Sequence, residues 1–219
     1  MTAAAPAAPV VAIDGTAASG KGTIARALAR KLHFDHLDTG ALYRAVAALV
    51  LRAGGDPASR ADALEACKAF RPGIVPDAEL RSAAVGEAAS QVAVLPEVRA
   101  ALRDYQISFA AQPPGGRGAV IDGRDIGTVI CPAAAAKIFV TAGLEERARR
   151  RWREIHARDP AKSYEAVLEE LTVRDARDSG RAAAPMKPAP DAVLLDTTDL
   201  SIDAAVAAAL EAVRGKLEA

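Results

Sequence analysis

The stretch Ile13-Asp14-Gly15-Thr16-Ala17-Ala18-Ser19-Gly20-Lys21-Gly22-Thr23 decides how this chain is read. Val10, Val11, Ala12 and Ile13 form a short apolar run rich in β-branched residues, the pattern of a buried strand. Beyond the stretch, Ile24, Ala25, Leu28, Ala29 and Leu32 recur at helical spacing. Strand, glycine loop, lysine, hydroxyl and helix, in that order, are the context a phosphate-binding loop requires. Gly15 and Gly20 let the backbone turn tightly and aim successive N–H groups at one point, an anion nest. The helix adds its free N-terminal N–H groups and the positive end of its dipole. Lys21 can reach the outer phosphates of a nucleotide. The expected cradle is Gly15 with Ala17, Ala18, Ser19, Gly20, Lys21, Gly22 and Thr23. Gly22 stands where the commonest pattern has a hydroxyl, and Thr23 follows it. The plain alternative is a glycine turn between a strand and a helix.

The 219 residues fit one α/β domain with small inserts and can bury roughly 70% of their unfolded surface. Lys plus Arg and Asp plus Glu number 28 each, so bulk charge gives no case for nucleic acid or an anionic membrane as partner. Cys67 and Cys131 have neither metal-ligand nor C-x-x-C spacing and read as reduced thiols of a cytoplasmic protein. No apolar run reaches membrane-spanning length. Residues 1–9 are rich in Ala and Pro but lack a signal peptide's basic and apolar regions, and they read as a disordered tail.

Residues 10–219 read as one domain. Phe34 to Asp38 predicts a second strand, and Ala41 to Ala53 a helix stopped by Gly54 and Gly55. A small insert spans about 56–99, with helical stretches near 61–69 and 83–89. Pro96 opens a longer helix, broken at Pro113-Pro114-Gly115-Gly116. Strands are expected at 119–121, 136–140 and 192–196, and helices from Leu144, over 164–178 and from Ser201. Five apolar strands separated by helices give an α/β fold, a five-stranded parallel sheet with helices on both faces. Ligands of such sheets sit at the carboxyl ends of the strands, which gathers Gly15, Asp38 and Asp122 around one crevice.

Asp122 ends the third expected strand, and its carboxylate can hold Mg²⁺ beside a bound nucleotide, together with the Thr23 hydroxyl. A turn aspartate before Gly123 is the alternative. The span 147–181 carries nine arginines. A solvated helix face is the ordinary reading of such a run. Here 149–151 go all round the helix, without a matched acid three or four residues beyond each, so an arriving polyphosphate suits them. Leu171, Arg174, Asp178 and Arg181 share one helical stripe, apolar and then charged, as on a helix that leaves the core to line a polar cleft. An Arg174–Asp178 surface ion pair, worth little, fits the same spacing. His33, His36 and His156 lack a Ser or Cys partner, so nothing points to nucleophilic catalysis.

IDGTAASGKGT at 13–23, LDTGALYR at 37–44, EAASQVAVLPEVR at 87–99, IDGRDIGT at 121–128 and VRDARDSGR at 173–181 together resemble the bacterial cytidylate kinases, from Val10 to the last helix. The phosphate loop alone is shared by very many proteins; the other runs, in this order, are far more specific. The resemblance implies a P-loop nucleoside monophosphate kinase with a core, a monophosphate-binding insert and a mobile lid at about 147–162. It implies transfer of the ATP γ-phosphoryl to CMP or dCMP, with Mg²⁺, by a cytoplasmic monomer. By motif match, Ser90, Arg99 and Asp125 are the cytosine contacts, and Arg174 and Asp178 the ribose contacts. Arg44, Arg124 and Arg181 are acceptor-phosphate ligands, and Thr39 and Tyr43 join the substrate site. Lys21, Arg150, Arg151 and Arg181 are the catalytic set. The stretch from about Cys67 to Leu80 is shorter than in many members, which place a small β-meander there.

A carboxylate suits the amino donor of cytosine, and a guanidinium and a hydroxyl suit its two acceptors. A kinase for another small acceptor such as UMP or AMP is the second reading. A nucleotide-binding switch without turnover is the third, although the guanine-reading N-K-x-D of a GTPase is missing.

Overall fold

The computed structural model describes residues 8–157 and 159–217. Most of the tail expected at 1–9, and Arg158 of the expected lid, lie outside the described residues. Strands β1 (Val10–Gly15), β2 (Asp35–Asp38), β3 (Ala119–Asp122), β4 (Ala136–Thr141) and β5 (Val193–Asp196) pair in parallel in the order β2-β3-β1-β4-β5. The expected parallel α/β sheet is therefore present, and β1 lies at its centre.

Side chains alternate across β1, as a strand requires. Val11 and Ile13 enter a core with Ile24 and Leu28 of α1 (Lys21–Leu32) and Val206 and Val213 of α9 (Ile202–Leu217). Ala12 faces the other core, built by Leu42 and Val46 of α2 (Thr39–Arg52), Val92 of α5 (Ala83–Val92) and Leu102 of α6 (Pro96–Ala111). Both faces of the sheet are thus covered.

Helix α2 starts at Thr39, two residues before the expected Ala41, because the Asp38 carboxylate accepts from the Ala41 N–H at 3.1 Å and caps the first turn. The stretch 67–80 holds the end of α3 (Arg60–Ala69) and the short α4 (Asp77–Leu80), with no strand among the described residues. Helices α7 (Leu144–His156) and α8 (Tyr164–Ser179) complete the set.

After β3 the chain makes a wide π-type turn at Ile126–Ile130. Asp14, buried at the end of β1, fixes it: one carboxylate oxygen accepts from the Ile126 N–H and the other from the Gly127 N–H, each at 2.7 Å. Burial pushes the Asp14 carboxyl up to about 6, and the two backbone donors only partly offset that.

Gly15 has φ +145°, and a Cβ there would lie 1.9 Å from the Val140 carbonyl oxygen on β4. Its role is close approach of two strands, which extends the reading of it as a turn residue. Gly54 also has positive φ, +70°, but open space around it. Gly15→Ala should therefore lower stability by more than about 3 kcal/mol, whereas Gly54→Ala should cost about 1 kcal/mol. Urea unfolding of the two variants checks this; equal losses would contradict the strand-contact explanation.

Candidate active site

The carboxyl ends of the strands open on a cleft of about 1560 Å³. Every candidate residue named from the sequence lines it except Gly15, which lies beneath. At one end, Gly20 adopts a left-handed conformation and caps α1 without a side-chain hydrogen bond, so the helix's first N–H groups face the cleft. Ala18 is also left-handed, at φ +59°. The Thr197 hydroxyl donates to the Ser19 carbonyl at 2.9 Å and braces the loop from beyond β5. Lys21 is pushed down to about 7, chiefly because the cleft walls strip it of water and then because Arg124 repels it. Asp122 and Asp38 pull the other way but do not compensate.

At the opposite end, the turn after β3 and helix α8 meet. Asp178, buried, accepts from Arg124 Nε at 2.8 Å and lies 3.2 Å from Arg181 Nη2 and 4.0 Å from Arg174 Nε. Burial works against its charge, but these three arginines hold its carboxyl below the usual range. Arg174 Nε is buried without a hydrogen-bond acceptor, and Arg181 Nη2 has only an Asp178 oxygen 3.2 Å away that is out of line for a hydrogen bond. Arg174 is pushed down to about 10 by burial first and then by Arg124. Donors left unsatisfied in this way are costly and call for an anion. Arg124 is thus tied to a buried carboxylate that Arg174 approaches only to 4.0 Å, which replaces the alternative of a surface Arg174–Asp178 pair.

Arg99 on α6 reaches Asp125 at 2.5 Å, with both side chains at most 10% exposed, and its guanidinium lies 5.8 Å from the Tyr43 ring centroid. Arg44 stands 3.5 Å from Asp38. Burial raises the Asp38 carboxyl, but Arg44 and Lys21 outweigh it and leave the group below its ordinary value. Thr39 does not point to open space: its hydroxyl donates to the Asp122 backbone carbonyl at 2.8 Å. Ser90, buried on α5, accepts from Arg177 at 2.8 Å.

The metal expectation rests on Asp122 and Thr23, which bring one carboxylate and one hydroxyl to the cleft. No cluster of three or more acidic, His or Cys ligands exists among the described residues. That donor set fits Mg²⁺, which keeps waters and substrate phosphates as most of its ligands. The Asp122 carboxylate meets His36 Nε2 at 2.8 Å, a contact the sequence did not suggest.

Helix α7 corrects one expectation. Acids do match its arginines: Arg149 and Arg150 pair with Glu146, three and four residues before them, and Arg151 pairs with Glu154, three after. The unmatched-charge argument therefore fails for 149–151: Arg149 and Arg150 are served by an acid at i−3 and i−4, and Arg151 by Glu154 at i+3, an acid already in the sequence. Arg150 also donates to the carbonyls of Thr197 and Thr198 at 2.7 and 3.1 Å. Arg151 extends toward α5, its Nη2 being 3.8 Å from where a Cβ on Gly86 would stand. Arg147 is a buried brace beneath the phosphate loop: it donates to the carbonyls of Ala142 and Ala17 and pairs with Asp175 at 2.7 Å. Asp14, Asp175, Arg177 and Thr197 escaped the sequence reading, His36 was read there only as a histidine without a catalytic partner, and Arg147, expected in the lid, belongs to the core. The one legible signal among them is Asp14, a carboxylate closing an apolar buried strand.

The family model described as Cytidylate kinase matches residues 11–215. A cytidylate kinase of Cereibacter sphaeroides is 58% identical over 93% of this chain and 94% of its own length. A cytidylate kinase of Paramagnetospirillum magneticum is 53% identical, covering 94% and 98%. That of Rhodospirillum rubrum is 52% identical, again covering 94% and 98%. Among solved structures, an uncharacterized protein from Eubacterium ventriosum superposes with TM-score 0.52 at 12% identity, over 94% of this chain and 98% of that one, a likeness of fold.

The lowered Lys21 gives a sign to test. Near pH 8 roughly nine-tenths of a group with a pKa of about 7 is neutral. A polyanion in the cradle raises that pKa, so at pH 8 Lys21 itself takes up close to one proton on binding, and at pH 6 almost none, over and above any proton the polyanion sheds in both chains. Calorimetry of inorganic tripolyphosphate binding, in buffers of different ionisation enthalpy, should show this uptake in the wild-type chain and its loss in Lys21→Met. Equal proton uptake by the two chains at pH 8 would contradict the assignment.

Proposed function

This chain belongs to the cytidylate kinase family, nucleoside monophosphate kinases, and on that premise we propose how its cleft moves the γ-phosphoryl of ATP to CMP or dCMP. The observation that carries the reading is the buried Arg99–Asp125 pair, together with the guanidiniums of Arg174 and Arg181, each with a buried N–H group that lacks a well-placed acceptor. The first fits a base that offers an amino donor next to acceptors, and the second fits the phosphate attached to it.

ATP lays its phosphates on the Gly20–Thr23 turn, with Lys21 on the outer ones. Its base faces the apolar shelf of Leu200 and Ile202, which line the same cleft and are 37% and 67% exposed. The acceptor's phosphate sits among Arg44, Arg124 and Arg181, and its ribose meets Asp178 and Arg174. Asp125 accepts from the cytosine amino group, while Arg99 and Ser90 face the ring acceptors. No general base is needed, because a phosphate monoester with a second pKa of about 6 is already mostly ionised at neutral pH. What remains is to align donor and acceptor and to neutralise the charge on the moving group. Lys21, Arg151 and Arg181 do the latter, and Arg150 joins them only by leaving Thr197 and Thr198. Asp122 and Thr23 would hold Mg²⁺, which when bound neutralises charge on the donor phosphates.

A coupled ADP-release assay over CMP, dCMP, UMP and AMP tests the reading. CMP and dCMP should turn over, with UMP and AMP at least about a hundredfold poorer in kcat/KM. Preference for UMP or AMP, or no turnover with any of them, would overturn it.

Two variants sharpen the roles. Lys21→Ala should lose essentially all turnover with an unchanged circular dichroism spectrum, since Lys21 faces the cleft and no core. Asp125→Asn can donate as well as accept, so the kcat/KM ratio of CMP over UMP should fall by roughly ten- to a hundredfold. A ratio that holds within about twofold, a difference below about 0.5 kcal/mol, would leave Asp125 as a mere holder of Arg99.

A further inference from the structure

Arg177 does not line the cleft, yet it touches a residue that does. From α8 it reaches across to α5, where its Nη1 donates to Ser90 Oγ at 2.8 Å and lies 3.0 Å from Glu87 Oε1. Ser90 and Glu87 are three residues apart, on the same side of α5, so one guanidinium grips both. Arg177 also stands directly before Asp178 in α8.

The chemistry of this contact is one-sided. A guanidinium only donates, so Ser90 Oγ must be the acceptor. A serine hydroxyl has one proton and two lone pairs. With one lone pair engaged behind it, the hydroxyl keeps its proton and one lone pair for other partners. A ring acceptor in the cleft calls on the proton. Asp125 is treated in the same manner on the other side of the base site: Arg99 holds one of its oxygens and leaves the other to accept.

We propose that Arg177 is a positioning residue for base choice, fixing the Ser90 hydroxyl as a donor toward the ring nitrogen of the acceptor's base. Cytosine carries a lone pair on that nitrogen and is satisfied. Uracil carries a proton there and is opposed. This rests on the reading of Ser90 as a base contact given above. Glu87 keeps the guanidinium in place. Its 44% exposed side chain makes that pair too weak to explain the bridge by stability alone.

The test compares Arg177→Met, Ser90→Ala and the double variant by kcat/KM for CMP and for UMP. In Arg177→Met the CMP-to-UMP ratio should fall about tenfold, mainly through a higher KM for CMP and with kcat within about twofold. Ser90→Ala should lower the ratio similarly, and the double variant should fall no further than Ser90→Ala. A purely structural role would depress both substrates together and leave the ratio alone. A ratio unmoved in Arg177→Met while Ser90→Ala lowers it overturns the proposal and spares the base-site reading. If Ser90→Ala itself leaves CMP untouched, the base-site reading falls and the proposal with it. Should Arg177→Met fail to fold, the decision passes to the exposed Glu87→Gln, which loosens the grip and should lower the ratio about threefold, with no further effect in a Ser90→Ala background. No change in that variant counts as refutation.

Discussion

Asp178 holds three guanidiniums within 4.0 Å, those of Arg124, Arg174 and Arg181, in a place water scarcely reaches. One negative charge cannot balance three positive ones. At an effective dielectric of about 20, unit charges 4 Å apart interact by about 4 kcal/mol, so the surplus is a real strain on the free chain. It is tolerated because the groups are fixed from elsewhere: Arg124 by the turn after β3, Arg174 by α8, and Arg181, just past the end of α8, by its Nε bond to the Asp178 carbonyl. The unsatisfied N–H groups of Arg174 and Arg181 express that surplus as geometry. A doubly charged phosphate brings the missing charge and the missing acceptors at once. Binding and preorganisation are therefore the same feature seen from two sides.

The sheet delivers that cluster to the right place. Register pairs Ile13 with Asp122 and Asp38 with Asp122, so the ends of β1, β2 and β3 are level. Asp14, one residue further along β1, then catches the backbone at Ile126 and Gly127, just past Arg124 and Asp125. A carboxylate with its pKa raised to about 6 is an expensive brace. It is retained where the position of the next two side chains matters more than stability, as the reading of Arg124 and Asp125 as substrate ligands requires. The phosphate loop and the acceptor end of the cleft are thus joined through one buried side chain.

Period and punctuation in the sequence revealed the strands, the long helices and the phosphate loop, because those follow from local residue spacing. The helix start at Thr39 was missed by two residues, since a cap by Asp38 depends on a side-chain hydrogen bond and not on apolar period. The motif runs named the residues around the cleft, but their partners could not be read. Arg124 with Asp178 and Arg99 with Asp125 join positions 54 and 26 residues apart, and His36 with Asp122 joins positions 86 apart. Such pairings depend on which strands are neighbours and on the angle at which α8 crosses the cleft. Arg147 shows the limit plainly: in sequence it belongs with Arg149, Arg150 and Arg151, and in space it belongs to the core.

That separation bears on how a lid could work. The root of α7 is pinned by Arg147 to the carbonyls of Ala142 and Ala17 and to Asp175 of α8. Losing those contacts would leave a buried guanidinium unpaired, a change worth several kcal/mol and not a thermal fluctuation. Further along the helix, Arg149, Arg150 and Arg151 are held by partly exposed carboxylates and by carbonyls of the loop after β5. Those contacts are individually weak and exchangeable for phosphate oxygens. The brace at 147 also rests on Ala17 of the phosphate loop itself. If α7 serves as the lid that the family resemblance implies, its outer turns would swing about this fixed root, and the Ala17 carbonyl would link the phosphate loop to that hinge.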